Sequence, residues 1–558
     1  MFYFLRKIYK KNAGYSPTFM YNRYNKREIM THYRIWSGKV GIRIMDSQTK
    51  RLFGILHIGT VNMTMKIIAY SSLEDMEIIE NVSHEVKYGE EVFTRHHVSY
   101  QSLNEICRIL SGFRQLLRDY DVRDVRVLST TAIREADNLL NVIDQIYIRT
   151  GFHVEVVHMA KEIYYKFFGL YYHVLRGTFN FADKAVLLLD ITSGGVGLTC
   201  WKSDKLLFQQ NVHIGSLRIL ENFTPRQRSE LTFPTAVREY IYGTLSPLWA
   251  SVQEHNIKYI VLSGRAATLI GNLMNKKKDA GICLIKPEEF RHFVYSFQGI
   301  TPLKLVQRFN LSNNLANVIM PTILLYYELL RIIDVDMIVM MSTTFTEGYS
   351  MYYVAEQTHN SYLDHQRGLL LDLTRSMAGK YLYDPNHSSR VEEFCSILFN
   401  AVYKKIGLNY QCGYLLKLAS ILHETGKFIN IRKHNLCTYN LITETDLFGI
   451  TDEEKEILAN ITYYAFGGIL QESSDKYNQL TPEQKVITAK LIAIFRLADS
   501  LDKSHLGKIS RIQAELTDTM LILHYRSELD ITLERWTFMK TAINFAEVFG
   551  ISPMLRKG

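Results

Sequence analysis

Two hydrophobic periods alternate along most of this chain and then give way to one, and no other feature restricts its fold as much. "DVRVLSTTAIREADN" (124–138) runs from a β-rich stretch through a polar turn into a helix start, and "FHVEVVHMAKEIYYKFFGL" (152–170) passes from strand alternation to helical spacing. "KAVLLLDITSGGVGLTCWK" (184–202) reads as an apolar strand, a Gly-rich turn and a second strand, and "IKYIVLSGRAATLIGNL" (257–273) as strand, glycine turn and helix. Interleaved segments of this kind predict α/β architecture up to about residue 350. After about residue 365 the helical period is nearly continuous, so the expected fold class is α/β followed by all-α, with the main boundary there. A chain of 558 residues exceeds what one hydrophobic core supports, and two to four domains follow.

Composition narrows the function classes. Hydrophobic residues make up 47% and charged ones 22%, a globular rather than a disordered balance. The formal net charge of +9 suits a polyanionic ligand, nucleic acid or an acidic surface equally. Cys107, Cys200, Cys283, Cys395, Cys412 and Cys437 are scattered without a CxxC pair, which argues against a disulfide framework and a thiolate zinc site and for a reducing cytoplasm. The most apolar stretch, Val318 to Met341, is broken by Pro321, Glu328 and Arg331 and reads as a buried helix followed by a strand, so no membrane insertion is expected. Residues 1–45 form a basic, tyrosine-rich extension without an apolar h-region. It is either an arm that grips an anion or an acidic surface, or a solvated tail, or the product of a start upstream of Met30 or Met45.

"GILHIGTVNMTMKII" (54–68) is a strand-like run interrupted by His57, Gly59 and Thr60. This turn and the one at Gly194 and Gly195 each lie between strands, unlike the phosphate loops that need a following helix. A hairpin turn can still hold phosphate through exposed amides, and it can equally be a plain hairpin.

Taken in order, these segments resemble the Ppx/GppA phosphatases, the exopolyphosphatases and guanosine pentaphosphate phosphohydrolases of the actin-like ATPase superfamily. "LHIGTVNMTMKI" stands where that family has D-[IL]-G-S-N-S-x-R-L, and "STTAIREADN" is similar to its [AG]-T-x-A-x-R-x-A-x-N, with Arg134 and Asn138 kept. "VEVVHMAKEIYYKFFGL" resembles the stretch ending in E-E-A-R-L-x-x-x-G, which puts Glu162 on the catalytic glutamate and Lys161 on the acid before it. "LLLDITSGGVGL" resembles D-I-G-G-G-S-T-E-L. The resemblance implies two RNase H-like lobes of the actin-ATPase type, residues 46–170 and 171–360, then a helical HD-like domain over 361–558. It further implies Mg²⁺ or Mn²⁺, polyphosphate or guanosine pentaphosphate as ligand, a homodimer, and no nucleic acid.

The chain departs from the family at its chemistry. The first loop's aspartate is His57, its S-N-S is Thr60-Val61-Asn62 and its arginine falls on Thr64. In the second loop Asp190 is kept, but Thr192-Ser193-Gly194-Gly195-Val196-Gly197 lacks the acid. The G-G-T turn reads Ser263-Gly264-Arg265, and the arginine of R-E-G is Thr346 before Glu347-Gly348. Phosphoryl transfer to water needs charge neutralisation, an in-line water and a base that orients it. On the resemblance, Glu162 is the base, Asp190 the second catalytic carboxylate and a metal ligand, and Gly59, Thr60, Asn62, Arg134, Ser193, Gly194 and Gly195 would bind phosphate. His57 is either a metal ligand or phosphate donor, or a neutral histidine bonded to a backbone carbonyl. In the tail, His387, His423, Glu424 and Asp499 resemble an HD-type site whose HD pair has become His-Glu, with His434 close by in sequence. Three functions follow: a working exopolyphosphatase or pentaphosphate phosphatase, a catalytically inactive pseudophosphatase that senses polyphosphate or an alarmone, and a phosphohydrolase acting at the HD-like site.

Overall fold

The computed structural model describes residues 50–558 apart from 178, 277–280, 298–301, 310, 312 and 467–474, so the basic extension expected over 1–45 lies outside the described residues. The first sheet is built from β1 (Arg51–Ile58), β2 (Asn62–Tyr70), β3 (Met76–Glu85), β4 (Asp124–Ser129) and β5 (Val154–Val156) in the order β3-β2-β1-β4-β5. β1 to β3 are antiparallel neighbours joined by tight turns, whereas β4 and β5 run parallel to β1. A parallel return needs a crossover, which helices Tyr100–Asp119 and Leu139–Thr150 supply.

The second sheet repeats the plan. β6 (Ala185–Ile191), β7 (Val196–Lys202) and β8 (Lys205–Val212) form the antiparallel meander, β9 (Ile257–Ser263) and β11 (Met337–Met341) the parallel extension, and β10 (Ile282–Ile285) an added edge strand. All seven residues of β6 are buried, which explains a continuous apolar run where a half-exposed strand would alternate. These are two RNase H-like lobes of the actin-ATPase type.

The helix that leaves each sheet carries the contact between the lobes. Met159–Leu175 follows β5, Phe345–Gln357 follows β11, and the two cross at glycines. A Cβ on Gly169 would stand 2.9 Å from the Gly348 Cα, and one on Gly348 would overlap the Tyr165 carbonyl oxygen. Residues of the first helix, among them Ile163, Phe167 and Phe168, are wholly buried and join one core with the C-terminal region.

From Ser361 onward the structure is mostly helical, with one correction to the sequence expectation: β12 (Arg511–Leu516), β13 (Met520–Arg526) and β14 (Ser552–Lys557) form a three-stranded sheet in that order. Burial alternates along β12 and β13, the mark of a sheet with one covered face. Among the described residues no helix is long and apolar enough to cross a membrane. No cysteine is in a disulfide.

The helical region is tied to the first lobe by an ion pair. His158, preceding the Met159–Leu175 helix, places Nδ1 at 2.8 Å from Asp452 and Nε2 at 3.7 Å from Glu453. Hydrogen bonds to Asp452 and then Glu453 raise the imidazole to about 9 against partial burial, and His158 in turn lowers both carboxyls to about 2. The histidine's contribution is complete below its ordinary 6.5 and disappears as pH rises through 9. The carboxylates' contribution is complete above their ordinary values of 3.8 and 4.5 and disappears as pH falls through 2. The thermal midpoint of His158→Ala should therefore lie below that of the native protein at about pH 6 and meet it at about pH 10. A gap that persists at the higher pH would show that packing, not charge, joins the two parts.

Candidate functional site

His57 and Asp190 are structural counterparts. Each is the penultimate residue of its lobe's first strand, and each meets a hydroxyl from the end of the fourth: His57 Nε2 lies 3.0 Å from Thr130 Oγ1, and Ser263 Oγ donates to Asp190 Oδ1 at 3.3 Å. Beyond each strand comes the glycine turn noted in the sequence. In the first, Gly59 N donates to Asn62 O at 3.1 Å and the Tyr88 hydroxyl donates to Gly59 O at 2.5 Å. In the second, Thr192 N donates to Gly195 O at 2.9 Å and Gly195 N to Thr192 Oγ1 at 3.0 Å. The amides of Thr60, Val61, Ser193 and Gly194 make no hydrogen bond among the described residues. Gly194 packs on the Thr131 side chain, so the second lobe's turn touches the first lobe's fourth-strand end. Asn62 is directed elsewhere and donates to Ser83 at 3.3 Å.

The acids come together below these turns. Glu162 and Asp190, both buried, are joined by Lys166, whose Nζ lies 3.4 Å from Glu162 Oε1 and 3.2 and 2.9 Å from the two Asp190 oxygens. Arg134 extends the chain: Nη1 donates to Val157 O at 2.6 Å and stands 3.8 Å from Glu162 Oε2, and Nη2 donates to Thr131 Oγ1 at 3.3 Å. Among the described residues Glu162 Oε2 has no hydrogen-bond partner. Burial pushes the Asp190 carboxyl up while Lys166 opposes it, and the two carboxylates hold Lys166 as an ammonium against burial. Burial first, then Arg265 and Lys166, lowers His57 to about 3, so the ring is neutral at ordinary pH; it packs on Phe345 at 4.9 Å. Its partner is the Thr130 hydroxyl rather than a backbone carbonyl.

Lys166 and Arg265 do not figure in the sequence reading as candidates. Lys166 had a signal, since it stands four residues after Glu162 on the same helical face. Arg265, second in the Gly264–Leu273 helix, is exposed and makes no hydrogen bond or ion pair among the described residues, though its charge bears on His57 and Glu347. Glu347 itself pairs with buried Lys66 at 3.1 Å, and Lys161 reaches Glu454 at 3.8 Å.

The residues around Glu162 do not fit a divalent metal. Hard cations of this kind take six or more oxygen ligands. Here the two carboxylates already share the Lys166 ammonium, and with Arg134 the group has no net negative charge to neutralise.

A second cluster fits better. His387 Nε2, His423 Nε2 and an Asp499 oxygen lie within 4.8 Å of one another, all three buried. Outer partners orient both rings: His387 Nδ1 lies 2.9 Å from Asp502 Oδ2 and His423 Nδ1 2.9 Å from Ser420 O. That arrangement leaves the two Nε2 atoms facing each other at 3.3 Å beside Asp499 Oδ1, which stands 3.4 Å from the His387 Nε2 and 4.0 Å from the His423 Nε2. Burial lowers His423 to about 4, while Asp499 and Asp502 outweigh burial and raise His387 to about 9. Glu424 turns to Lys427 and to His505 Nε2 at 3.5 Å; His505 stacks on His387 at 3.7 Å. His434 packs edge-on against Phe466, outside the group. Asp502 and His505 lie within "SLDKSH" and could have been found only with the fold in hand.

The sequence profile of the Ppx/GppA phosphatase family matches residues 67–356, and that of Ppx/GppA phosphatase domain III matches 373–538. The guanosine-5'-triphosphate,3'-diphosphate pyrophosphatase of Photobacterium profundum is 20% identical over 453 residues, which span 80% of this chain and 86% of that protein. The Vibrio atlanticus pyrophosphatase of the same description is 20% identical over 454 residues, with the same two coverages. Among solved structures, an exopolyphosphatase from Cytophaga hutchinsonii superposes with a TM-score of 0.50 at 18% identity, covering 55% of this chain and 98% of that one, a likeness of fold.

Proposed function

The chain belongs to the Ppx/GppA phosphatase family, and from that premise we propose that its interlobe cleft binds the terminal phosphates of inorganic polyphosphate or guanosine pentaphosphate and hydrolyses the end anhydride. The observation that carries this reading is the meeting of Glu162, from the helix after β5, with Asp190, from β6, at one buried point where Glu162 Oε2 has no hydrogen-bond partner among the described residues. Such an oxygen suits a general base that orients water. Water would attack the terminal phosphorus, its proton passing to Glu162, while the bond to the bridging oxygen breaks and a chain one phosphate shorter leaves. Unbonded amides at Thr60, Val61, Ser193 and Gly194, with the Arg265 guanidinium, would hold the equatorial oxygens, and Lys166, its donors shared by the two carboxylates, would contribute charge only.

Phosphatases of this family generally depend on a divalent metal, and the cleft's residues do not fit one, so no step here passes through a metal. The test is phosphate release from long-chain polyphosphate and from guanosine pentaphosphate, paired with a binding titration at two salt concentrations. Release supports the hydrolase. Binding that weakens with salt but yields no phosphate favours a pseudophosphatase that senses the same polyanion, and absence of both sinks the cleft reading.

The cluster of His387, His423 and Asp499 supports a second reading, an HD-like metal site. Mn²⁺ at about 100 times its dissociation constant should stabilise the folded protein by about 2.7 kcal/mol, read as a rise in thermal midpoint that His423→Ala abolishes. Identical midpoints with and without Mn²⁺ would leave the cluster a purely structural ion pair. Leu533, Trp536, Met539 and Ile543, exposed along one side of the Thr532–Phe549 helix, support the homodimer that the resemblance implies. Cysteines without disulfides support the cytoplasm as its compartment.

A further inference from the structure

We propose that the Lys166 ammonium takes the place of the divalent cation in the interlobe cleft, bridging Glu162 and Asp190 as a tethered cation and making phosphate binding there independent of added metal. The inference deepens the reading of the cleft as a phosphate site, but the cation's place rests on geometry alone. Lys166 Nζ contacts carboxylate oxygens from both lobes at 2.9 and 3.4 Å, and its side chain is 10% exposed. An ammonium has three donor hydrogens. Asp190 and Glu162 take them at 2.9, 3.2 and 3.4 Å, and Ser263 donates to Asp190 as well.

Charge balance leads to the same place. Arg134 and Lys166 carry two positive charges against the two carboxylates. A divalent ion entering this group would have to expel a cation bonded to the same oxygens, and the lysine cannot diffuse away. Its local concentration is set by the helix that also carries Glu162. The substitutions elsewhere in the cleft agree. His57 and Gly197 stand where the family's loops have acids, so neither loop adds a carboxylate to Glu162 and Asp190, and His57 Nε2 is engaged with Thr130. The lysine contributes a single charge, fixed on one side of the phosphate, whereas a metal would bring two and bridge several oxygens. Arg265 at the facing helix start is the group placed to supply the remainder.

The test counts bound Mn²⁺ by electron paramagnetic resonance on the full chain, with the helical site removed by His387→Ala, because His387 belongs both to the group with His423 and Asp499 and to a second one with Glu424 and His505. At micromolar Mn²⁺ this variant is expected to bind no ion. Adding Lys166→Met is expected to create a site for a single ion, which Asp190→Asn in turn removes. An ion already bound before Lys166 is changed, or none after, overturns the proposal. Should Lys166→Met not fold, Lys166→Gln, which keeps a donor toward Asp190, takes its place in the count. Independently, the native protein's affinity for inorganic phosphate should agree within about twofold in EDTA and in Mg²⁺, and tightening by Mg²⁺ of about tenfold or more overturns the proposal. Failure of phosphate to bind under either condition would sink the cleft reading while the Mn²⁺ count still decides the place of Lys166.

Discussion

Glu162→Gln is expected to lower phosphate release by about 10²–10⁴-fold while leaving polyphosphate affinity within about twofold, the loss typical of removing a general base. The substitution keeps the shape of the side chain in a site that is 5% exposed, and its amide oxygen can still accept from Lys166, 3.4 Å away in the native protein. What disappears is the charge and basicity of the oxygen that faces Arg134 without a hydrogen bond. Rates of release and affinity must both be measured, because they separate the roles. A fall in release of less than about threefold would remove Glu162 from the mechanism. A parallel collapse of binding would make it a structural member of the ion chain instead.

Gly348→Ala is expected to cost about 3 kcal/mol or more, or to leave no folded protein, because its Cβ would overlap a backbone oxygen rather than the end of a flexible side chain. The affected atom, the Tyr165 carbonyl, belongs to the helix that holds Glu162 and Lys166, so relief of the overlap would move the site itself. Gly368, inside the Ser361–Gly379 helix, is the control. A Cβ there would meet nothing within 4 Å, and Gly368→Ala should stabilise by about 0.5–1 kcal/mol through helix propensity. Urea midpoints of the two variants should therefore move in opposite directions. Equal midpoints for Gly348→Ala and the native chain would mean that the helices cross with more room than the structure gives them.

Local pattern was enough for much of the architecture. The apolar run of β6, bounded by Thr192-Ser193-Gly194-Gly195, can only be a covered strand ending in a tight turn, and "STTAIREADN" announces the end of β4 and the turn after it. β12 and β13 escaped notice because six- and seven-residue strands sit between long helices whose period dominates any window laid over them. The glycines of the lobe crossing were visible as letters, but nothing in their neighbours along the chain shows that residues 169 and 348 meet.

The sequence by itself determined the order of lobes and tail, the two hairpin turns and the identities of Glu162 and Asp190, since each depends on a local period or on a motif a few residues long. Only the tertiary structure decided what those residues face. Asp190 meets Lys166 across 24 positions, His57 meets Thr130 across 73, and His387 meets Asp502 across 115. Such pairings are settled by how the sheets and helices pack. Because a buried charge must find a partner wherever packing puts it, the electrostatics of both candidate sites belong to the fold and not to the string.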